Sequence, residues 1–140
     1  MKFWDSSAIL PLVVREASTP QIRSLVEDET ELLVWWATRI ETLSAVARIA
    51  REGGLSTTQV QAVLEDLGEL LRTARVVEPT NAVIARAERL LFNHALRAAA
   101  ALQLAAALVA AQERPQEIQF VTLDQRLRLA AGREGFTVTP

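Results

Sequence analysis

The sequence predicts an α/β fold: a single domain whose central parallel sheet is flanked by helices on both faces. Two observations predict it. Short apolar runs rich in aromatic and β-branched residues recur along the chain, and a stretch with helical spacing separates each from the next. Strands that alternate with helices pair in parallel and are covered on both faces. The chain is 140 residues long and 50% hydrophobic, enough for one proper core. It contains no linker, internal repeat or low-complexity tail.

The elements follow in order. "KFW" before Asp5 reads as the first strand. "DSSAIL" opens a helix with Ser6 or Ser7 placed to cap it, and Pro11 ends or kinks it. "STPQIRSLVEDE" is a second short helix, with Ser18 or Thr19 as N-cap and Pro20 in the first turn. "ELLVWW" is a strand. "ATRIETLSAVARIAREGG" is a helix with Ile40, Leu43, Val46 and Ala47 on one side, stopped by Gly53 and Gly54. "LSTTQVQAVLEDLGELLRTA" is a capped helix of period 3.6, and "RVVE" a brief strand closed by Pro79. "TNAVIARAERLLFNHA" and "RAAAALQLAAALVAAQE" are two further helices. "EIQFVTL" is a strand leading to Asp124, "DQRLRLAAGREG" a helix, and "FTVT" the last strand.

Composition removes several function classes. There is no cysteine, hence no disulfide, thiolate zinc site or cysteine nucleophile. His94 is the only histidine, so a histidine-rich metal site within one chain is excluded. A metal here is held mainly by carboxylates, which suit Mg²⁺ or Mn²⁺. The net charge of −2 does not announce a nucleic-acid partner. Lys2 is the only lysine; the other cations are arginines, whose planar fork suits phosphates and carboxylates. No signal peptide is visible, and the alanine-rich run near residue 100 is too short and polar to span a bilayer, so a cytoplasmic protein is expected.

In open parallel sheets, ligands bind beyond the carboxyl ends of the strands. Three acids stand there: Asp5, Asp124 and, on the first turns of the helix after "ELLVWW", Glu41. Each has a plainer reading. Asp5 and Asp124 suit helix caps, and Glu41 a first-turn acid favoured by the helix dipole. Their joint placement after three strands favours a shared site. A receiver-type phosphoacceptor domain is discounted, because Asp5 has no acidic neighbour and no lysine follows Lys2. A dinucleotide enzyme is disfavoured, because no glycine-rich turn follows the first strand.

"FWDSSAIL", "TRIETLSAVAR", "HALRAAAALQLAAAL" and "FVTLDQRLRLAAGREGF", in this order and spacing, together resemble PIN-domain ribonucleases of the VapC toxin type. The resemblance covers essentially residues 1–140 as one PIN-like domain. It implies a parallel sheet flanked by helices, an acidic cluster binding Mg²⁺ or Mn²⁺, an RNA substrate, a cognate antitoxin and a homodimer. Carried over by position, Asp5 is a direct metal ligand and Asp124 a ligand or outer-shell acid. Glu41 acts through water, as ligand support or general base. Ser7 hydrogen-bonds a carboxylate or water, and Arg97 and Arg126 are candidates for phosphate contact. The family's remaining acid sits in a stretch like "LRAADALQLAAAL"; Ala100 holds that place here. Natural loss and deliberate substitution leave the same alanine.

The expected function is a metal-dependent endoribonuclease toxin, inactive or impaired through Ala100. The alternative is a non-catalytic PIN-like module that keeps partner binding only. Position 100 lies three residues from Arg97 and Gln103 and seven from Asn93, on the sparse polar stripe of its helix. Gln103 and Asn93 read as ordinary surface or interhelix groups, and His94 as a capping or surface residue. Trp4 reads as core. Trp35 and Trp36 cannot both face one side of a strand, which sends one ring towards the site edge or an interface.

Overall fold

Phe3 and Trp4, adjacent in sequence, point to opposite faces of a sheet and are both fully buried, which a strand covered on both sides requires. The computed structural model describes all 140 residues. The chain runs β1 (Lys2–Trp4), α1 (Ser6–Val13), α2 (Thr19–Glu27), β2 (Leu33–Trp35), α3 (Thr38–Arg51), α4 (Thr57–Leu71), β3 (Arg75–Val77), α5 (Asn81–Asn93) and α6 (Ala98–Ala110). A 3₁₀ turn (Pro115–Glu117), β4 (Gln119–Val121), α7 (Gln125–Arg133) and β5 (Thr137–Thr139) complete it. All five strands are parallel, in the order β3-β2-β1-β4-β5. The α/β architecture expected of a PIN-like domain is therefore present.

The alternation of side chains divides the core. Phe3, Leu33, Trp35 and Phe120 face the layer of α5, α6 and α7, where they meet Val83, Leu90, Leu104 and Leu127. The rings of Phe3 and Phe120 stack at 5.4 Å. Trp4, Val34 and Val121 face the other layer, with Ala8 and Ile9 of α1, Ile22 of α2 and Leu67 of α4. Helix α6 is buried from Leu104 to Leu108 on every side, a core helix whose alanines let α5 approach closely.

Several local expectations are corrected. The strand in "ELLVWW" is Leu33–Trp35 only; Trp36 has left it and is 58% exposed, while Trp35 is buried. Asp5, not Ser6 or Ser7, caps α1, its carboxylate accepting the Ser7 N–H. Pro11 does not end α1, which continues to Val13. Ser18 holds the N-cap position of α2 without a side-chain bond. The Thr19 hydroxyl instead donates to Pro11 O and accepts from Glu16 N, stitching α1 to α2. In α3 the buried face is Thr38, Thr42 and Val46, while Ile40 is 70% exposed and Ala47 is exposed. Val46 packs with Leu10 and Val14 at the end of α1, and Thr42 satisfies its hydroxyl on Thr38 O at 2.8 Å. Gly53 ends α3 as expected: its φ of 83° closes a Schellman turn, with Gly53 N on Ala50 O and Gly54 N on Ile49 O.

Candidate active site

In the strand order, β1 lies between β2 and β4, so the connections leaving β1 and β4 diverge in opposite directions. This is the topological switch point, where open α/β sheets bind ligands. Asp5 N donates to Val121 O at 3.0 Å, so Asp5 emerges at that crevice. Thr122 and Asp124 follow β4 beside it.

Asp5 is 4% exposed, and its Oδ2 is saturated. It accepts from the Ser7 N–H at 3.2 Å, the Ser7 hydroxyl at 2.5 Å and the Thr122 hydroxyl at 2.9 Å. Those two hydroxyls in turn accept Leu123 N at 2.9 Å and Asp124 N at 3.1 Å, so the loop after β4 is built onto Asp5. Oδ1 has only the Ser6 hydroxyl, at 3.4 Å. The single proton of Ser6 has the better acceptor in Glu41 Oε2, at 3.0 Å. One hydroxyl thus touches both carboxylates, and Asp5 and Glu41 are no farther apart than those two contacts laid end to end.

Glu41 repeats the pattern. Its Oε2 accepts from Ser6 and from Gln103 Nε2 at 2.8 Å, while Oε1 has no protein partner. Asp124, exposed, caps α7 with Oδ1, which accepts Arg126 N at 2.9 Å and Leu127 N at 3.0 Å; Oδ2 is free. Each of the three acids therefore has one oxygen fixed by the protein and one left over. No arginine, lysine or histidine forms an ion pair with any of them.

Burial pushes the Asp5 carboxyl above its usual range, against the Ser7 and Thr122 bonds that lower it, and the charge of Asp124 adds to the rise. Burial likewise raises Glu41, opposed by the Gln103 and Ser6 bonds and assisted by Asp5. All three acids belong to one electrostatic neighbourhood. They do not form a cage: no group of three or more acidic or histidine side chains is spaced to enclose an ion. The largest cavity, about 670 Å³, lies elsewhere, against the segment after α1 with Arg23 and Asp66. A cavity of about 370 Å³ bounded by Thr122, Leu123, Gln125 and Arg128 adjoins the Asp124 side of the site.

The folded protein binds protons at Asp5 and Glu41 more readily than the unfolded chain, whose values stay near 3.8 and 4.5. The stability from these groups is thus complete below the unfolded values and lost as pH rises through the higher folded ones. Thermal unfolding in EDTA is expected to give a Tm that falls from mildly acidic pH towards neutrality. A Tm that rises over that interval contradicts the burial of unpaired carboxyls.

Ala100 is half-buried, the third residue of α6, against the core. Asn93 belongs to α5 and Arg97 is the N-cap residue of α6, so only Gln103 shares a helical face with Ala100. Arg97 and Arg126 are exposed and neither guanidinium pairs with the three acids; Arg126 meets Asp124 only through its backbone N–H. Gln103 is no surface group: it is 1% exposed and reaches Glu41. The sequence signal for it was its one-turn spacing from position 100. Thr122 carried a similar signal, two residues before Asp124 at a strand end. His94 ends α5 and bonds Glu134, at the end of α7, at 2.6 Å, a structural tie remote in sequence from the acids.

A solved structure of FitAcB from Neisseria gonorrhoeae is similar to this chain, with a TM-score of 0.70 over 100% of this chain and 97% of that one, at 16% identity. The likeness is one of fold. No family model and no curated protein matches the sequence.

Proposed function

We propose that the chain is a metal-dependent endoribonuclease of the PIN toxin type, impaired by Ala100. One observation carries the reading. Three carboxylates from three segments stand at the switch point, each with one oxygen tied down and one free, and no protein cation compensates them. Buried acids without a partner take up protons or a cation. The donors are all hard oxygens, and Mg²⁺ binds through one or two carboxylates while keeping several waters, so the set fits a hydrated Mg²⁺ or Mn²⁺ even without a closed cage. The four motifs and the fold likeness to FitAcB support the same reading.

Asp5 and Asp124, each with a carboxylate oxygen left over, would hold the ion. When bound, it offers positive charge to a phosphodiester and acidifies water. Glu41 Oε1 would hold a water of the ion and so support its affinity, and it is the free base that receives a proton from the attacking water, a task its raised proton affinity suits. Ser7 and Thr122 keep Asp5 in one rotamer. Arg97 and Arg126 contact the RNA backbone from outside the acid cluster. A cognate antitoxin and a second copy of the chain complete the reading, and exposed Ile40 and Phe92 are apolar surface for such partners to cover.

The competing reading, a binding module without catalysis, is favoured by the lack of a three-acid cage. Calorimetric Mn²⁺ titration, RNA cleavage with and without EDTA, and light scattering decide between them. The nuclease reading expects weak Mn²⁺ binding, slow EDTA-sensitive cleavage and a dimer. A chain that neither binds Mn²⁺ nor cleaves RNA, alone or as Ala100→Asp, is the binding module.

A further inference from the structure

Gln103 is the one polar member among the largest fully enclosed side chains. It sits in α6 among Ala101, Leu104, Ala105 and Ala106, where a leucine or methionine would leave no polar atom to satisfy. Its amide is only half satisfied. Nε2 donates to Glu41 Oε2 at 2.8 Å and approaches Thr38 Oγ1 at 3.3 Å, while Oε1 is buried with no partner. An orphaned buried carbonyl costs stability. The fold therefore carries a side chain that harms packing and whose main contact is one carboxylate of the site.

We propose that Gln103 is the positioning residue for Glu41. The amide grips Oε2 from the α6 side and Ser6 grips it from the α1 side, so the carboxylate cannot rotate and Oε1 is the oxygen left to act. Thr38 sets the amide from below. One line of contacts, Thr38–Gln103–Glu41–Ser6–Asp5, thereby joins α3, α6, α1 and the end of β1. Glu41 lies near the start of α3 and half-buried, where without Gln103 a flexible glutamate has one remaining hydroxyl to hold it. The role rests on the metal-dependent reading above.

The test compares Gln103→Met, which keeps volume and removes the donor, with Gln103→His, which keeps a ring N–H. Both are made in the full chain and in Ala100→Asp. Metal-free Tm and calorimetric Mn²⁺ affinity are measured for each. Gln103→Met is expected to melt no lower than its parent without metal, because the orphaned carbonyl is gone. It is expected to lose about tenfold in Mn²⁺ affinity, the low end of effects from groups that orient ligands. Gln103→His is expected to recover most of that loss. Unchanged affinity in Gln103→Met, beside a parent that binds Mn²⁺, overturns the positioning role and leaves the nuclease reading standing. A lower metal-free Tm with lost affinity in both variants assigns Gln103 to packing and overturns it too. A parent in which even Ala100→Asp binds no Mn²⁺ removes the nuclease reading itself, and this role with it.

Discussion

Ala100→Asp is expected to raise Mn²⁺ affinity and RNA cleavage by at least about 10–100-fold, the range that follows from supplying or removing a group that supports a metal ligand. Ala100 is the third residue of α6, and no acid occupies that first turn and no side chain caps it. An aspartate there meets unpaired backbone N–H groups and the positive end of the helix, worth about 0.3–1 kcal/mol. That offsets the several tenths of a kcal/mol by which aspartate trails alanine as a helix former. The remaining cost is a further carboxylate near Glu41, which Gln103 holds one turn along α6 and whose carboxyl is already pushed up by burial. Without metal the variant is thus expected to melt at or slightly below the parent, and with metal clearly above it. Titration and cleavage of parent and variant side by side check this. Equal binding and equal cleavage make position 100 a packing site on a core helix and nothing more.

Asp5→Asn is expected to abolish Mn²⁺ binding, a loss of about 100-fold or more, and yet to raise the metal-free Tm. Asparagine caps a helix about as well as aspartate, so the Ser7 N–H keeps its acceptor, and the Ser7 and Thr122 hydroxyls keep theirs. The amide nitrogen falls where Oδ1 stood, beside the Ser6 hydroxyl, which can accept from it. What disappears is a buried charge repelled by Asp124. The fall of Tm between mildly acidic and neutral pH should become shallower, since one of its two sources is gone. A destabilised Asp5→Asn with an unchanged pH slope would mean that Asp5 serves the fold as a cap and carries no strained charge.

Stability and chemistry pull apart at this site in a way the sequence announces only in part. The alternation of apolar runs and helical stretches was enough to place all five strands and seven helices, and hence a parallel sheet. The position of acids after strands was enough to bring Asp5, Glu41 and Asp124 to one edge, because in a parallel sheet every strand ends on the same side. Identities at single positions were less informative. Asp124 is both a helix cap and a site acid, and its letter is the same for either role.

Local pattern determined the elements, their order and the edge where the acids gather, since hydrophobic periodicity and turn chemistry act within a few residues of the chain. Only the tertiary structure decided which face of α3 is buried. Of the apolar stripe Val46 is buried and Leu43 half-buried, whereas Ile40 and Ala47 face outward and Thr38 and Thr42 are buried instead, so the buried face is rotated from the one the apolar letters mark. It alone decided the strand order that pairs β1 with β4, 117 residues away, and with it the Thr122 bond that completes the set on one oxygen of Asp5. It alone turned Gln103 inward onto Glu41, 62 residues away. A glutamine on an alanine-rich helix has no preferred partner in its own segment. Its burial, and whatever work it does, come from the elements that happen to close around it.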